Sequence, residues 1–500
     1  MITITNKLKK SIYVPNDSVT FSSTINYLLI IAILASVVQI LIFKYYYPFA
    51  SYIYGDSYAY ILNAINNSKI AIYPIGYSVF LNLIHRITYS DYFLVIIQYL
   101  LLQSSTLFLI FSMFHFYNPP WIIRILLFAF MVFNPLHLYL SNTISSDILF
   151  ISLSITWFSL LLWVIHKPSI AIHFFHAIIL FLAFTVRYFA LFYPIISLFA
   201  FIISKSSLIL KLNSLLCCAA LIGSFIFFTQ NLYYQICQKH IFSPFSGWLL
   251  ANNALYAYRY VSNEQHKTPP RELENLDLQV RDYFDSTQNN PGHLMEQGET
   301  YFHFMWISTS PLRAYAKKSI QPGSKLKDLG KWAFFAPIFK DYGWWIIKNY
   351  PIQFSRYYLF ANVKRYSLPP VEFLESYNSG LNEVPDYIKN WFHYKSNILS
   401  YKVKNPVYTI LPLYSIWSAI INIQILLFII IYVWLKCYRY YPIKLDVLLF
   451  LSFFGLINFA FEVFSTLISL RFQIFSIWIF TCFSYILLGC IIIQLKKTDA

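Results

Sequence analysis

Four charged residues stand where an apolar chain has little structural use for them. Asp56 lies in Tyr54-Gly55-Asp56-Ser57-Tyr58-Ala59-Tyr60 and is the sole acidic residue between Asp17 and Asp91. Asp147 opens an apolar run in Ser145-Ser146-Asp147-Ile148-Leu149-Phe150. Arg187 interrupts Ala183-Phe184-Thr185-Val186-Arg187-Tyr188-Phe189, and Arg471 opens a further run in Ser469-Leu470-Arg471-Phe472. A lone carboxylate ringed by tyrosines beside a bilayer suits a base that takes a proton from a hydroxyl. Two carboxylates brought together near a substrate can divide roles or share a divalent cation. Guanidinium donors match phosphate oxygens, so the arginines suit a clamp on a lipid-linked phosphate. Plainer readings compete at each position. Either aspartate can be a helix N-cap, and either arginine can snorkel to lipid headgroups.

Other residues carry weaker signals. Glu462 lies well inside an apolar run, where a carboxylate defaults to a functional role, paired with an arginine or set in a proton pathway. His173 and His176 share one helix turn, but this is weak metal spacing without a carboxylate partner. Three kinds of motif are missing from the chain: GxxxxGK[ST] or a GxGxxG followed by an acidic residue, GxSxG, and Asp-x-Asp. Nucleotide hydrolysis, dinucleotide binding and a soluble nucleotide-sugar donor are therefore not indicated. The six cysteines offer neither a disulfide framework nor a CxxC zinc spacing.

The elements that must position these residues are membrane helices. The chain is 58% hydrophobic and only 12% charged, about half the charge of a soluble domain. Apolar runs fall near 26–43, 92–114, 121–140, 148–166, 173–204, 209–229, 409–435, 445–468 and 472–494. The net charge of +16 does not imply nucleic acid, because the excess sits at helix ends and short loops. The run 173–204 is long for one span and short for two, with Arg187 and Pro194 near its middle. Two short helices put Lys7, Lys9, Lys10, Lys167, Lys205, Lys211, Lys436, Arg439, Lys444, Lys496 and Lys497 on one side. The expected fold is an all-α polytopic bundle of about ten transmembrane helices with both termini inside. The first span reads as uncleaved, since it lacks a small-residue cleavage site and leads into more spans. Residues 230–408 are polar, mixed in charge and rich in Pro and Trp, and read as one large mixed extracytoplasmic loop domain of roughly 180 residues. It divides residues 1–229 from residues 409–500. Within it, Trp332 to Tyr366 mixes aromatic, aliphatic and basic residues and reads as one or two interfacial helices on the bilayer. A soluble domain's basic face is the alternative.

The order of these features resembles a known family. There is a first span, an Asp in the first outer loop, Pro74-Ile75-Gly76-Tyr77, then Asn134-Pro135, an acidic residue opening the next span, and an Arg in a split pair of short helices. Together they look like the GT-C superfamily of membrane glycosyltransferases. More narrowly, they are similar to its family 39 and RgtA/ArnT-like branch, which use dolichyl- or undecaprenyl-phosphate sugars. The resemblance covers about residues 20–205. It implies that residues 1–229 hold the catalytic module, with Asp56 as base and Asp147 at the second acidic position. Arg187 and Arg471 would hold the lipid phosphate, with Tyr73 of the Pro-Xaa-Gly-Tyr segment beside it. Relatives often carry a basic residue near that segment, and the nearest here are Lys69, His85 and Arg86. The implied activity is inverting transfer from a polyprenyl-phosphate sugar to an extracytoplasmic glycan, lipid or protein hydroxyl, at a bacterial inner (plasma) membrane. The resemblance names no particular cofactor, and a divalent cation stays open. The alternatives are a lipid-linked oligosaccharide polymerase or ligase, which shares the outer loop and arginines, and a transporter or flippase, which Glu462 would serve.

Overall fold

The computed structural model describes residues 18–288, 303–320, 326–403 and 408–498. Lys7, Lys9 and Lys10, used above to orient the first span, lie outside them. Among the described residues eight helices are long and apolar enough to cross a membrane: Ile25–Tyr46, Asp91–Tyr117, Trp121–Ser141, Ser146–His166, Leu208–Cys237, Leu411–Trp434, Leu445–Ser465 and Leu470–Lys497. Paired strand among them is limited to β1 (Ser51–Tyr52) and β2 (Thr143–Ile144). The chain is an all-α, multi-pass bundle.

The run 173–204 is indeed broken. Helix Ile170–Val186 ends at Arg187, whose backbone is extended (φ −147°, ψ 127°). A 3-10 turn, Tyr188–Phe192, leads into helix Tyr193–Ile203. Pro194 is tolerated there because the first turn of a helix has no N–H bond to lose. The run 121–140 also breaks. Trp121–Val132 ends, and Asn134 caps Pro135–Ser141 by accepting from the Leu136 amide at 3.1 Å. The run that begins near 209 continues unbroken past residue 229 to Cys237.

Burial ranks the helices. In Ser146–His166 and Leu470–Lys497, 78% of the most apolar window is buried, against 17% in Ile25–Tyr46 and Leu208–Cys237. A helix apolar all round must be central or face lipid. The two that carry Asp147 and Arg471 are the most buried of the eight.

The buried residues of 230–408 fall mainly into two cores, with Tyr366 in a small third cluster beside Val463 and Ile468. Trp248, Phe304, Trp332, Phe339 and Tyr342 belong to a core of their own. Val371, Tyr377, Ile388, Phe392 and Leu399 belong instead to the core of the bundle. Helix Asp328–Asn349 buries Trp332, Phe335, Phe339, Tyr342 and Ile346. It packs along Pro244–Tyr258, and Trp248 Nε1 donates to the Trp332 carbonyl at 3.0 Å. The first half of the segment read as interfacial is thus a core helix of this unit.

Candidate functional site

Two short features bring distant loops together. β1 and β2 pair in parallel, with Ser51 opposite Thr143 and Tyr52 opposite Ile144. The Ser51 amide donates to the Asn142 carbonyl at 2.7 Å. Ser57 Oγ accepts from the Ile53 amide at 2.8 Å and donates to the Ile144 carbonyl at 2.5 Å. The loop before helix Asp56–Ile65 is thereby fastened to the loop before helix Ser146–His166, and the two aspartates follow the fastening. Gly55 makes the turn between them at φ 88°, a conformation that side chains with a Cβ disfavour. Gly76 does a different job. A Cβ there would stand 2.7 Å from the backbone of Thr185, so the Pro74-Ile75-Gly76-Tyr77 segment can lie directly on the end of the Arg187 helix.

The aspartates and arginines form one chain of ion pairs. Arg471 donates from Nη1 and Nη2 to Asp56 Oδ2 at 3.1 and 3.0 Å. Its Nη1 also reaches Asp147 Oδ2 at 3.4 Å. Arg187 Nη2 meets Asp147 Oδ1 at 2.7 Å, and Arg187 Nε donates to Ser146 Oγ at 2.9 Å. Phe472 lies under both guanidinium groups, 4.8 Å from Arg471 and 5.1 Å from Arg187. All four residues singled out in the sequence therefore meet. The two carboxylates are not equivalent. The Asp147 side chain is 1% exposed and is held by both arginines and by Ser145 Oγ at 2.7 Å. The Asp56 side chain is 23% exposed and pairs with Arg471.

The capping readings give way to other residues. Helix Asp56–Ile65 has Gly55 at its N-cap with no side-chain cap bond, and Asp56 is its first residue. Helix Ser146–His166 is capped by Ser145, whose Oγ accepts from the Asp147 amide. Both carboxylates are thus freed from backbone duty. A divalent ion does not suit this arrangement, because the Arg471 guanidinium already fills the place between the two carboxylates.

Tyr73 stands beside Asp56. Burial, and then the neighbouring carboxylate, push its phenol well above the ordinary value. Tyr60 donates to or accepts from Ser146 Oγ at 2.9 Å, and burial pushes its phenol up to about 12. His85 and Arg86 do not join the cluster. His85 stacks on Trp391, with ring centroids 3.5 Å apart, and Arg86 Nε donates to Asn82 Oδ1 at 3.0 Å. Glu462 is buried, and among the described residues no arginine pairs with it. Asn458 Nδ2 donates to its Oε1 at 2.9 Å, and Gln473 Nε2 reaches its Oε2 at 3.4 Å. His173 and His176 bond separately to serine hydroxyls, His173 to Ser206 and Ser214 and His176 to Ser197.

One part of the site went unread in the sequence. The segment around 371–380 roofs it. Phe373, at φ 64°, lays its ring 4.7 Å from the Arg471 guanidinium. The following turn is tied to the first loop. The Asn378 amide donates to Ser51 Oγ at 2.9 Å, and Ser379 Oγ accepts from the Tyr54 amide at 3.1 Å and donates to the Tyr52 carbonyl at 3.0 Å. Asn378 and Ser379 both hold positive φ, 50° and 53°. Asn378-Ser379-Gly380 is a recognisable turn signal, but nothing in it says where the turn docks.

No family model matches the chain, and no curated protein or solved structure does.

Proposed function

We propose that this chain is an inverting membrane glycosyltransferase of GT-C type. It takes a sugar from a polyprenyl-phosphate donor and passes it to an extracytoplasmic hydroxyl. The observation that carries this reading is the cluster of Asp56, Arg471, Asp147 and Arg187. Asp56, the exposed carboxylate, takes the proton of the acceptor hydroxyl. The acceptor oxygen attacks the anomeric carbon as the bond from that carbon to the phosphate oxygen breaks. The electron pair leaves with the polyprenyl phosphate, an already ionised monoester that needs no strong acid. Arg471 and Arg187 hold the phosphate charge that grows. Asp147 is a positioning residue, because it touches the arginines and is shut off from solvent. Arg471 serves two anions in turn, Asp56 in the empty site and the phosphate once the donor arrives. Its Nε is buried with no hydrogen-bond acceptor and supplies one donor for the second role.

Counting the split pair Ile170–Val186 and Tyr188–Ile203 as two crossings gives ten spans. The lysine-rich turns at 205–211 and 436–444 then face the cytoplasm, and the site faces outward at the plasma membrane. Alkaline phosphatase fused near residue 270 is expected to be active, and fused near 440 inactive. The reverse pattern would discard the orientation.

The activity test compares Asp56→Asn with wild type in purified form, using radiolabelled sugar on a polyprenyl phosphate or on a nucleotide. Wild type should transfer from the lipid carrier. The variant should lose at least about 100-fold in rate while remaining folded. Transfer from the nucleotide-sugar alone, or retention of more than about a tenth of the rate by Asp56→Asn, would sink the reading.

A further inference from the structure

The second half of the segment 332–366 carries a surface that the site does not use. After Tyr350 the chain turns into Pro351–Phe354, a π turn at Ser355–Leu359 and helix Phe360–Ser367. Its inner face is fixed to the end of a span. The last four carbonyls of a helix lack internal partners. At the end of Leu445–Ser465 this stretch supplies the donors. Asn362 Nδ2 donates to the carbonyls of Val463 at 2.9 Å and Thr466 at 2.7 Å. Tyr358 Oη lies 3.3 Å from the carbonyls of Phe464 and Thr466. Lower down, the Tyr366 ring meets Phe459 edge-on at 4.9 Å. From Phe464 to Phe459 is five residues of helix, about 7.5 Å along the span. The stretch therefore overlaps the span in depth by about the 5–10 Å to which an interfacial helix buries its apolar face.

The outer face of the same stretch has an unusual pattern. Ile352, Arg356, Phe360, Lys364 and Leu368 follow one another at intervals of four, and all five are exposed. Ile352 is 76% exposed and Phe360 57%. Such apolar exposure beside a membrane-spanning helix needs a cover. Arg356 and Lys364 lie near aromatic rings, Tyr357 and Phe360, and form no ion pair with a carboxylate among the described residues. An open groove of about 510 Å³ runs between Pro351, Ile352, Ser355, Arg356 and Phe360.

We propose that this groove binds an anionic phospholipid of the surrounding bilayer. The phosphodiester pairs with Arg356, with Lys364 two turns further along the same face, and an acyl chain runs inward along Phe360. Charge selects the ligand, since two cations without carboxylate partners at headgroup depth favour an anionic lipid over a zwitterionic one. Depth selects a lipid over a soluble partner, because the stretch is fastened level with the end of a span.

The test is a lipid titration read by native mass spectrometry on the full-length protein in detergent. Phosphatidylglycerol and phosphatidylcholine with the same acyl chains are compared. Wild type should retain phosphatidylglycerol about fivefold or more tightly. Arg356→Ala/Lys364→Ala should bring the two lipids within about twofold of one another, with the melting temperature unchanged. Equal retention by wild type, or a preference that survives in the double variant, overturns the proposal. A second measurement places the groove. Phe360→Cys in a Cys217→Ser background carries a nitroxide, and in bilayers oxygen should relax it more than a water-soluble nickel chelate does. The opposite order would put residue 360 in water, leave its face to a soluble partner and overturn the proposal. Neither readout depends on the activity proposed for Asp56.

Discussion

Two buried carboxylates on neighbouring helices are stabilised in opposite ways. Asp147 sits between two guanidinium groups and a serine hydroxyl. Glu462 sits between two carboxamides, Asn458 and Gln473, and the network continues from Gln473 to Ser418 by a 3.1 Å bond. The first cluster fixes charge. Each of its groups is costly to bury alone and tolerable only with its partners. The second needs no fixed charge, since amide donors bond a carboxylate or the carbonyl of a carboxylic acid alike. Chemistry that must hold an anion belongs with the first. The second is suited to holding three helices in register.

That contrast can be broken experimentally. The largest effect is expected from Asp147→Ala, which leaves Arg187 and Arg471 facing one another without their shared anion. Loss of one partner from a buried charge cluster costs about 3–5 kcal/mol, so thermal unfolding in detergent should show a large drop in melting temperature. A variant as stable as wild type would mean that water already compensates the arginines. Next is Arg471→Lys. An ammonium keeps the charge but cannot span Asp56 and Asp147 together or grip a phosphate with two parallel bonds. Transfer should fall about 100-fold with the fold intact, as for the loss of one charge-stabilising donor. Full activity would reduce Arg471 to a point charge. The smallest effect is expected from Glu462→Gln, which keeps the shape and leaves no cation stranded. Stability should change by about 1 kcal/mol or less, and transfer hardly at all. A cost like that of Asp147→Ala would show that Glu462 carries a fixed charge, and the contrast would collapse.

Much of the site was legible because charge is conspicuous in an apolar chain. Asp56, Asp147, Arg187 and Arg471 each interrupt or open an apolar run, and all four meet. The break at Arg187 was legible too, because 32 residues from 173 to 204 fit neither one untilted span nor two full ones. What stayed hidden depends on contacts between distant parts of the chain. His85 and Arg86 were chosen for closeness to the Pro-Ile-Gly-Tyr segment, yet helix Gly76–His85 carries them to its far end, where Trp391 receives His85. Residue type alone leaves either aspartate open as an N-cap, whereas Gly55 and Ser145 precede them at the cap positions. The turn at Asn378-Ser379-Gly380 is recognisable as a turn, but its docking on Ser51, Tyr52 and Tyr54 spans more than 300 residues. The distribution of 230–408 among several cores was invisible for the same reason, since polarity marks what leaves the bilayer and not which core it rejoins.

The bond between Asp56 and Arg471 joins residues 415 positions apart. During synthesis at about 5–20 residues per second, about 20–80 seconds separate the two. Asp56 and Asp147 are made and delivered to the membrane long before the guanidinium that will bind both. Through that interval Arg187 is the one cation of the four available, and Asp147 is its partner. Asp56 waits at the surface in contact with water, which its position at the exposed end of the cluster allows. Arg471 stands in the first turn of its own span, so it arrives only when that helix begins. The carboxylates are thus present in the chain before the arginine that bridges them, and the bridge can close only after the helix that begins at Leu470 is made.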